Sequence, residues 1–164
     1  MKRTIIIKLK ERQLKTGKKS HARHPNFNLR EIALQGLYQI DLGSTPLNEV
    51  LELRWVHSKL NEEDKSFVED IIEGVTELEF DIDEVIQKYS KKDIRQISSV
   101  VRCILRMGTY EILKGEFPGP IIIDTCCTLT RKYDDERAVK FVNAILDKVY
   151  KFLLENQEEE KKEI

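Results

Sequence analysis

Along most of this chain apolar residues recur at intervals of three and four, the period that gathers side chains on one face of an α-helix. Leu29, Ile32, Ala33, Leu37 and Ile40 form the first such stripe. Asn28-Leu29-Arg30-Glu31 has the form of a helix start, with a capping side chain and an acid three residues on. Gly43 and Pro46 end that element and open the next, a weaker stripe of Leu47, Val50, Leu51 and Trp55. Asn61-Glu62-Glu63-Asp64 then puts acids in a first turn, where the helix dipole favours them. Phe67, Val68, Ile71, Ile72, Val75 and Leu78 follow, and after Asp81 a short stripe of Ile82, Val85, Ile86 and Tyr89. Beyond Ser98 come Val100, Val101, Ile104, Leu105, Gly108 and Ile112, with Gly115 as the stop.

Phe117-Pro118-Gly119-Pro120 is a break. The next segment, 121–133, reads two ways. Its Ile, Thr and Cys content fits a strand, whereas Ile122, Cys126, Leu129 and Tyr133 also fall on one helical face. Asp134 and Asp135 precede a clean helical stripe from Ala138 to Leu153. About seven helices with short connections imply an all-α bundle. Residues 1–25 show no sustained apolar period and are expected to be a basic, flexible arm. The folded domain is expected over 26–154, with 155–164 as an acidic tail that is a frayed, solvated helix end.

Composition supports this picture. Gly and Pro together number only eleven in 164 residues, which favours long helices over a turn-rich β-fold. Charged residues make up 35% and hydrophobic ones 40%, enough for a core with a strongly polar exterior. No apolar run approaches the ~20 residues of a membrane helix, and Ile5-Ile6-Ile7 is too short for a signal peptide. Three cysteines, two of them adjacent, do not build a disulfide framework. A cytoplasmic protein is expected.

The net charge of −1 conceals segregation. Residues 1–30 carry ten Lys/Arg against one acid, Glu11, so that end is strongly cationic and the remainder anionic. A basic end of this kind points to a polyanionic partner. Catalytic chemistry is harder to find. His21-x-x-His24 lacks a third ligand, and Cys126-Cys127 lacks metal-site or redox spacing. Gly17-Lys18-Lys19-Ser20 echoes a phosphate-binding loop, but position 12 is Arg where such a loop needs Gly. No enzyme activity, cofactor or metal is expected. Arg102 and Arg106 share a helix face with Tyr110; that face either grips a phosphate or carboxylate on a partner or closes on a local acid. Tyr38 either stacks on a base or is a half-buried ring at the core edge.

Four segments carry a family resemblance. Residues 30–38, Arg-Glu-Ile-Ala-Leu-Gln-Gly-Leu-Tyr, resemble the first-helix signature of the transcription antitermination factor NusB family, and 101–113 its central helix. Phe117-Pro118 with Ile121-Ile122-Ile123-Asp124 resembles the opening of its penultimate helix, and Lys140 to Lys148 its last-helix signature. The resemblance spans about residues 28–152. It implies two packed helical subdomains and favours helix for 121–133. It also implies a non-enzymatic factor that, with the ribosomal protein NusE, binds boxA RNA of nascent ribosomal RNA transcripts and suppresses termination by elongating RNA polymerase. A homodimer is compatible with it. The alternative is a helical interaction module in ribosome biogenesis without boxA specificity.

The chain departs from the family in places. Asn26, Phe27 and Asn28 stand where arginines are usual, and the cations lie upstream, from Lys15 to Arg23. Asp124-Thr125-Cys126-Cys127 replaces an Asn-Glu pair with small apolar residues. Lys18, Lys19, Arg23 and Arg30 are expected to neutralise RNA phosphates, Tyr38 to meet a base, and Lys132 and Lys140 to extend the track. Val101, Arg102 and Leu105 are the expected contacts to the protein partner.

Overall fold

The computed structural model describes residues 4–16 and 27–164. Within them lie eight α-helices and a short 3-10 turn, and no strand. Helices α1 (Thr4–Thr16), α2 (Phe27–Asp41), α3 (Leu47–Leu51) and α4 (Glu62–Glu77) precede α5 (Glu79–Tyr89) and the 3-10 turn Ile94–Gln96. Helices α6 (Ser99–Lys114), α7 (Gly119–Tyr133) and α8 (Glu136–Lys162) complete the chain. The predicted boundaries have local causes. Asn61 accepts from the Asp64 N–H while Asp64 accepts from the Asn61 N–H, a reciprocal cap on α4. Gly115 ends α6 at φ +75, a left-handed conformation that glycine adopts without steric cost. Residues 121–133 are helical: Pro120 sits in the first turn of α7, and Ile122, Cys126 and Leu129 form its buried face.

Helix α6 is the centre. Every residue from Cys103 to Leu113 is buried, because α1, α2, α4, α5, α7 and α8 all pack on it. A helix covered all round carries no polar face, so its charged side chains must find partners inside. One group of helices, α2 to α4, packs on one side, and a second, α5, α7 and α8, on the other.

Two sets of ion pairs fasten α2 to α6. Near the start of α2, Arg30 is fully buried and donates to Glu111 through Nε (2.7 Å) and Nη2 (2.8 Å). Its guanidinium carbon lies 5.2 Å from the Phe67 ring centre and 5.0 Å from that of Phe117. The two rings thereby cover a cation whose Nη1 has no hydrogen-bond partner. At the other end, Asp41 accepts from Ser99, from Arg102 Nη2 (2.6 Å) and from Arg106 Nη1 (2.9 Å). Arg106 also binds Asp83 in α5 through Nε and Nη2, both at 2.8 Å. Of the two readings of the Arg102–Arg106 face, the structure bears out closure on local acids. Tyr110 is buried behind them.

Three expectations are corrected. The flexible basic arm over 1–25 is a helix over 4–16, because Ile5, Ile6 and Leu9 are buried and Arg12 enters the interior. Arg12 Nη1 donates to Asp70 (2.6 Å) and to the Tyr110 hydroxyl (3.0 Å), and its Nε to Glu77 (3.0 Å). Lys8 and Lys10 add pairs to Asp81 and Glu160. The acidic end, expected as a frayed and solvated helix end, is the last part of α8, which runs to Lys162 with Asn156 still buried. Val101 and Leu105, expected on a partner-binding face, are 4% and 0% exposed and belong to the core. Arg102 is committed to Asp41.

Arg30→Met should cost about 3–5 kcal/mol, since it strands the Glu111 carboxylate in the core. Adding Glu111→Leu should recover most of that loss in urea unfolding. An acid-dependent term comes from Asp41 and Asp70. Burial opposes ionisation of both, yet Arg102, Ser99 and Arg106 around Asp41, and Lys114 and Arg12 around Asp70, outweigh it and hold both carboxyls below the ordinary value of 3.8. Their contribution is present above pH ~4 and is lost as pH falls through their depressed folded values. Asp70→Asn should therefore be less stable than the parent at pH 7, and should lose less further stability between pH 7 and pH 3.

Candidate nucleic-acid interface

Helix α2 buries Leu29, Ile32, Ala33 and Leu37 and turns Gln35, Tyr38 and Gln39 outward, three positions spaced i, i+3 and i+4 on one face. They form one wall of a groove of about 610 Å³, within the size range of small-ligand sites. Leu34 and Val100 contribute apolar surface, and Trp55 and Tyr133 complete the lining. Tyr38 is 39% exposed and Tyr133 41%, so ring surface is open to solvent.

Each ring is held. Trp55 Nε1 donates to the Val50 carbonyl at 3.0 Å. Its ring approaches α2 at Gly36, where a Cβ would lie 3.3 Å from the indole and 2.7 Å from Ile72. The Tyr133 hydroxyl donates to Glu31 (2.9 Å), and Lys132 Nζ reaches the same carboxylate at 2.7 Å. Burial and then the Glu31 carboxylate push the Tyr133 hydroxyl pKa upward, so the ring stays neutral at physiological pH. Lys132 also stands over the Tyr133 ring at 5.6 Å. Fixed aromatic rings beside carboxamides, with a cation at the rim, are the chemistry that stacks and hydrogen-bonds an unpaired nucleobase.

Of the residues singled out from sequence, Tyr38 lies in the groove and Lys132 is linked to it through Glu31 and Tyr133. Lys18, Lys19 and Arg23 fall outside the described residues. They belong to the sequence that joins the end of α1 to the start of α2. Arg30, expected at phosphate, is corrected: it is sealed against Glu111 and has no exposed surface. Lys140 is exposed but lines a different groove, between α7 and α8, with Arg131 and Asn143. Trp55, Gln35 and Gln39 were missed. The outward i, i+3, i+4 spacing of Gln35, Tyr38 and Gln39 was the available signal. Trp55 comes from the connection after α3 and had none. The buried thiols need no functional role: burial pushes Cys103 up to about 12 and Cys126 higher, so both stay protonated.

Fold and groove together define an all-helical scaffold with an aromatic, amide-lined binding surface. Comparison with known proteins identifies the lineage. The NusB family model matches residues 28–151, and the chain belongs to the NusB family. It is 36% identical over 124 residues to the transcription antitermination protein NusB of Leptospira biflexa, covering 74% of this chain and 89% of that protein. To the Bacillus subtilis protein of the same name it is 34% identical over 122 residues, covering 73% and 90%. Among solved structures, T. maritima NusB superposes with a TM-score of 0.71 at 29% identity, over 79% of this chain and 92% of that one. A crystal structure of the antitermination factors NusB and NusE in complex with dsRNA gives 0.64 at 29% identity, over 76% and 95%. Helix α1 precedes the matched family segment.

Proposed function

We propose that this protein is a cytoplasmic, non-enzymatic RNA-binding antitermination factor. With a NusE-type ribosomal protein it binds boxA RNA of nascent ribosomal RNA transcripts, and so keeps elongating RNA polymerase from terminating. The observation that carries the reading is the solvent-open groove of Tyr38, Trp55 and Tyr133, one wall of which is the helix that follows the cationic sequence 15–23. Lys18, Lys19 and Arg23 neutralise phosphates, Lys132 adds a cation at the groove mouth, and Tyr38 offers a ring to a base. Lys140, in the α7–α8 groove, extends the path. Arg30 takes no part. The protein partner meets the anionic body, where opposite charge speeds encounter. The names of relatives and the NusE–RNA neighbour support this assignment.

Titrating a boxA RNA across salt concentrations tests it. Each single-strand phosphate contact adds about 0.7 to the log–log salt slope. Replacing Lys18 and Lys19 by Ala should flatten it by about 1.4, and Tyr38→Ala should weaken binding by about 1–3 kcal/mol at unchanged slope. Scrambled RNA should bind more weakly, most clearly with NusE present. Because the NusE-bound neighbour holds dsRNA, a duplex of the same sequence is the decisive competitor. Tighter binding of the duplex, or almost no salt dependence, would overturn the single-strand reading.

A further inference from the structure

The groove contains more than stacking surface. Its polar lining is made of two carboxamides, Gln35 and Gln39, and the state of its neighbours determines which one is available. The Glu31 carboxylate is occupied by the Tyr133 hydroxyl and by Lys132. Gln35 sits one helical turn before Gln39, beside the Tyr133 hydroxyl that donates to Glu31. Among the described residues the Gln39 carboxamide has no hydrogen-bond partner, while its backbone carbonyl is tied by the Ser44 N–H (3.2 Å) and Oγ (3.0 Å). Gln39 therefore offers a carboxamide with both functions unspent among the described residues, at the edge of a cavity walled by aromatic rings.

We propose that this groove is a base-selective subsite for one unpaired adenine, with Gln39 as the specificity-determining residue; this rests on the RNA-binding reading above. A carboxamide presents a donor and an acceptor side by side. Adenine presents the complementary pair, the N6 amino donor and the N7 acceptor. Guanine offers two acceptors on that edge, O6 and N7, and calls for Arg or Lys. Among the described residues no cation lines this groove, and the ammonium of nearby Lys132 is held by Glu31. Cytosine's amino group calls for a carboxylate, and none lines the groove among the described residues: Glu31 stands behind the Tyr133 hydroxyl, tied to it and to Lys132 through Oε2. The two-ring surface of a purine also covers more of the Tyr38, Trp55 and Tyr133 rings than a pyrimidine does. Trp55 is thereby a base contact as well as a wall.

The protein reports on this site itself, because Trp55 is its only tryptophan. The probes are uridine hexanucleotides carrying at one central position adenosine, purine riboside (no N6 amine), 7-deazaadenosine (no N7), guanosine or uridine. Adenosine should bind tightest and quench Trp55. Each edge-deleted analogue and guanosine should bind roughly tenfold more weakly. Gln39→Met should bring adenosine down to the level of purine riboside, so that the two no longer differ. The analogue series in the unaltered protein decides the matter even if the variant folds poorly. Equal affinity for adenosine and purine riboside, or RNA binding that leaves Trp55 emission unchanged, overturns the proposal and leaves the RNA-binding reading standing. Failure of every oligomer to bind at low salt overturns both.

Discussion

The paired, buried charges of Arg30 and Glu111 set the constraint on which the rest of the architecture depends. A guanidinium without solvent exposure has to be matched in position as well as in charge, and the two-point bond to Glu111 permits one register of α2 against α6. Phe67 from α4 and Phe117 from the α6–α7 turn close over the cation. One side chain thus ties together four segments from distant parts of the chain. An apolar pair of similar volume could equal it in stability, so its distinctive contribution is register: Leu against Leu would tolerate sliding, whereas this pair does not.

The same interior charges change the meaning of the chain's charge asymmetry. Read along the sequence, the first thirty residues form one cationic block. In three dimensions Lys8, Lys10, Arg12 and Arg30 are already neutralised by Asp81, Glu160, Asp70 with Glu77, and Glu111. Part of the basic end therefore glues the anionic body together. The cations left to a polyanion are fewer and concentrated between α1 and α2, close to the helix that carries the groove.

The apolar period revealed α2, α4, α5, α6 and α8, and the first-turn acids after Asn61 and the stop at Gly115 placed two helix ends correctly. It underread α6, whose stripe marks one face of a helix buried on all sides, because periodicity does not register coverage by polar residues that have found partners. It missed α1 for the same reason. The spacing Ile5, Ile6, Leu9, Arg12 is helical, but its fourth buried member is an arginine, and a run of cations reads as solvated until Asp70 and Tyr110 are seen beside it. For 121–133 the β-branched content and the helical spacing disagreed; burial of Ile122, Cys126 and Leu129 on one face decides for the helix. The groove was legible only where α2 shows it, since Trp55 and Tyr133 join Tyr38 from segments far away in sequence.

Helix α2 is pinned at both ends to an antiparallel α6. Arg30 meets Glu111 near one end, and Asp41 meets Arg102 and Arg106 near the other. Gln35, Tyr38 and Gln39 lie between the two anchors, on the face turned away from the core. The opposite wall, Val100 and Tyr133, comes from α6 itself and from α7, which packs on α6. Both walls are thus referred to a single buried helix. Groove width is set by interior ion pairs that solvent ions screen only weakly. The geometry that meets a base should therefore persist at salt concentrations that strip phosphates from the surface cations. Stacking and phosphate attraction then respond to different variables: the first to the integrity of the α2–α6 pairing, the second to ionic strength. A groove whose walls are already in place asks little ordering of the base proposed to enter it.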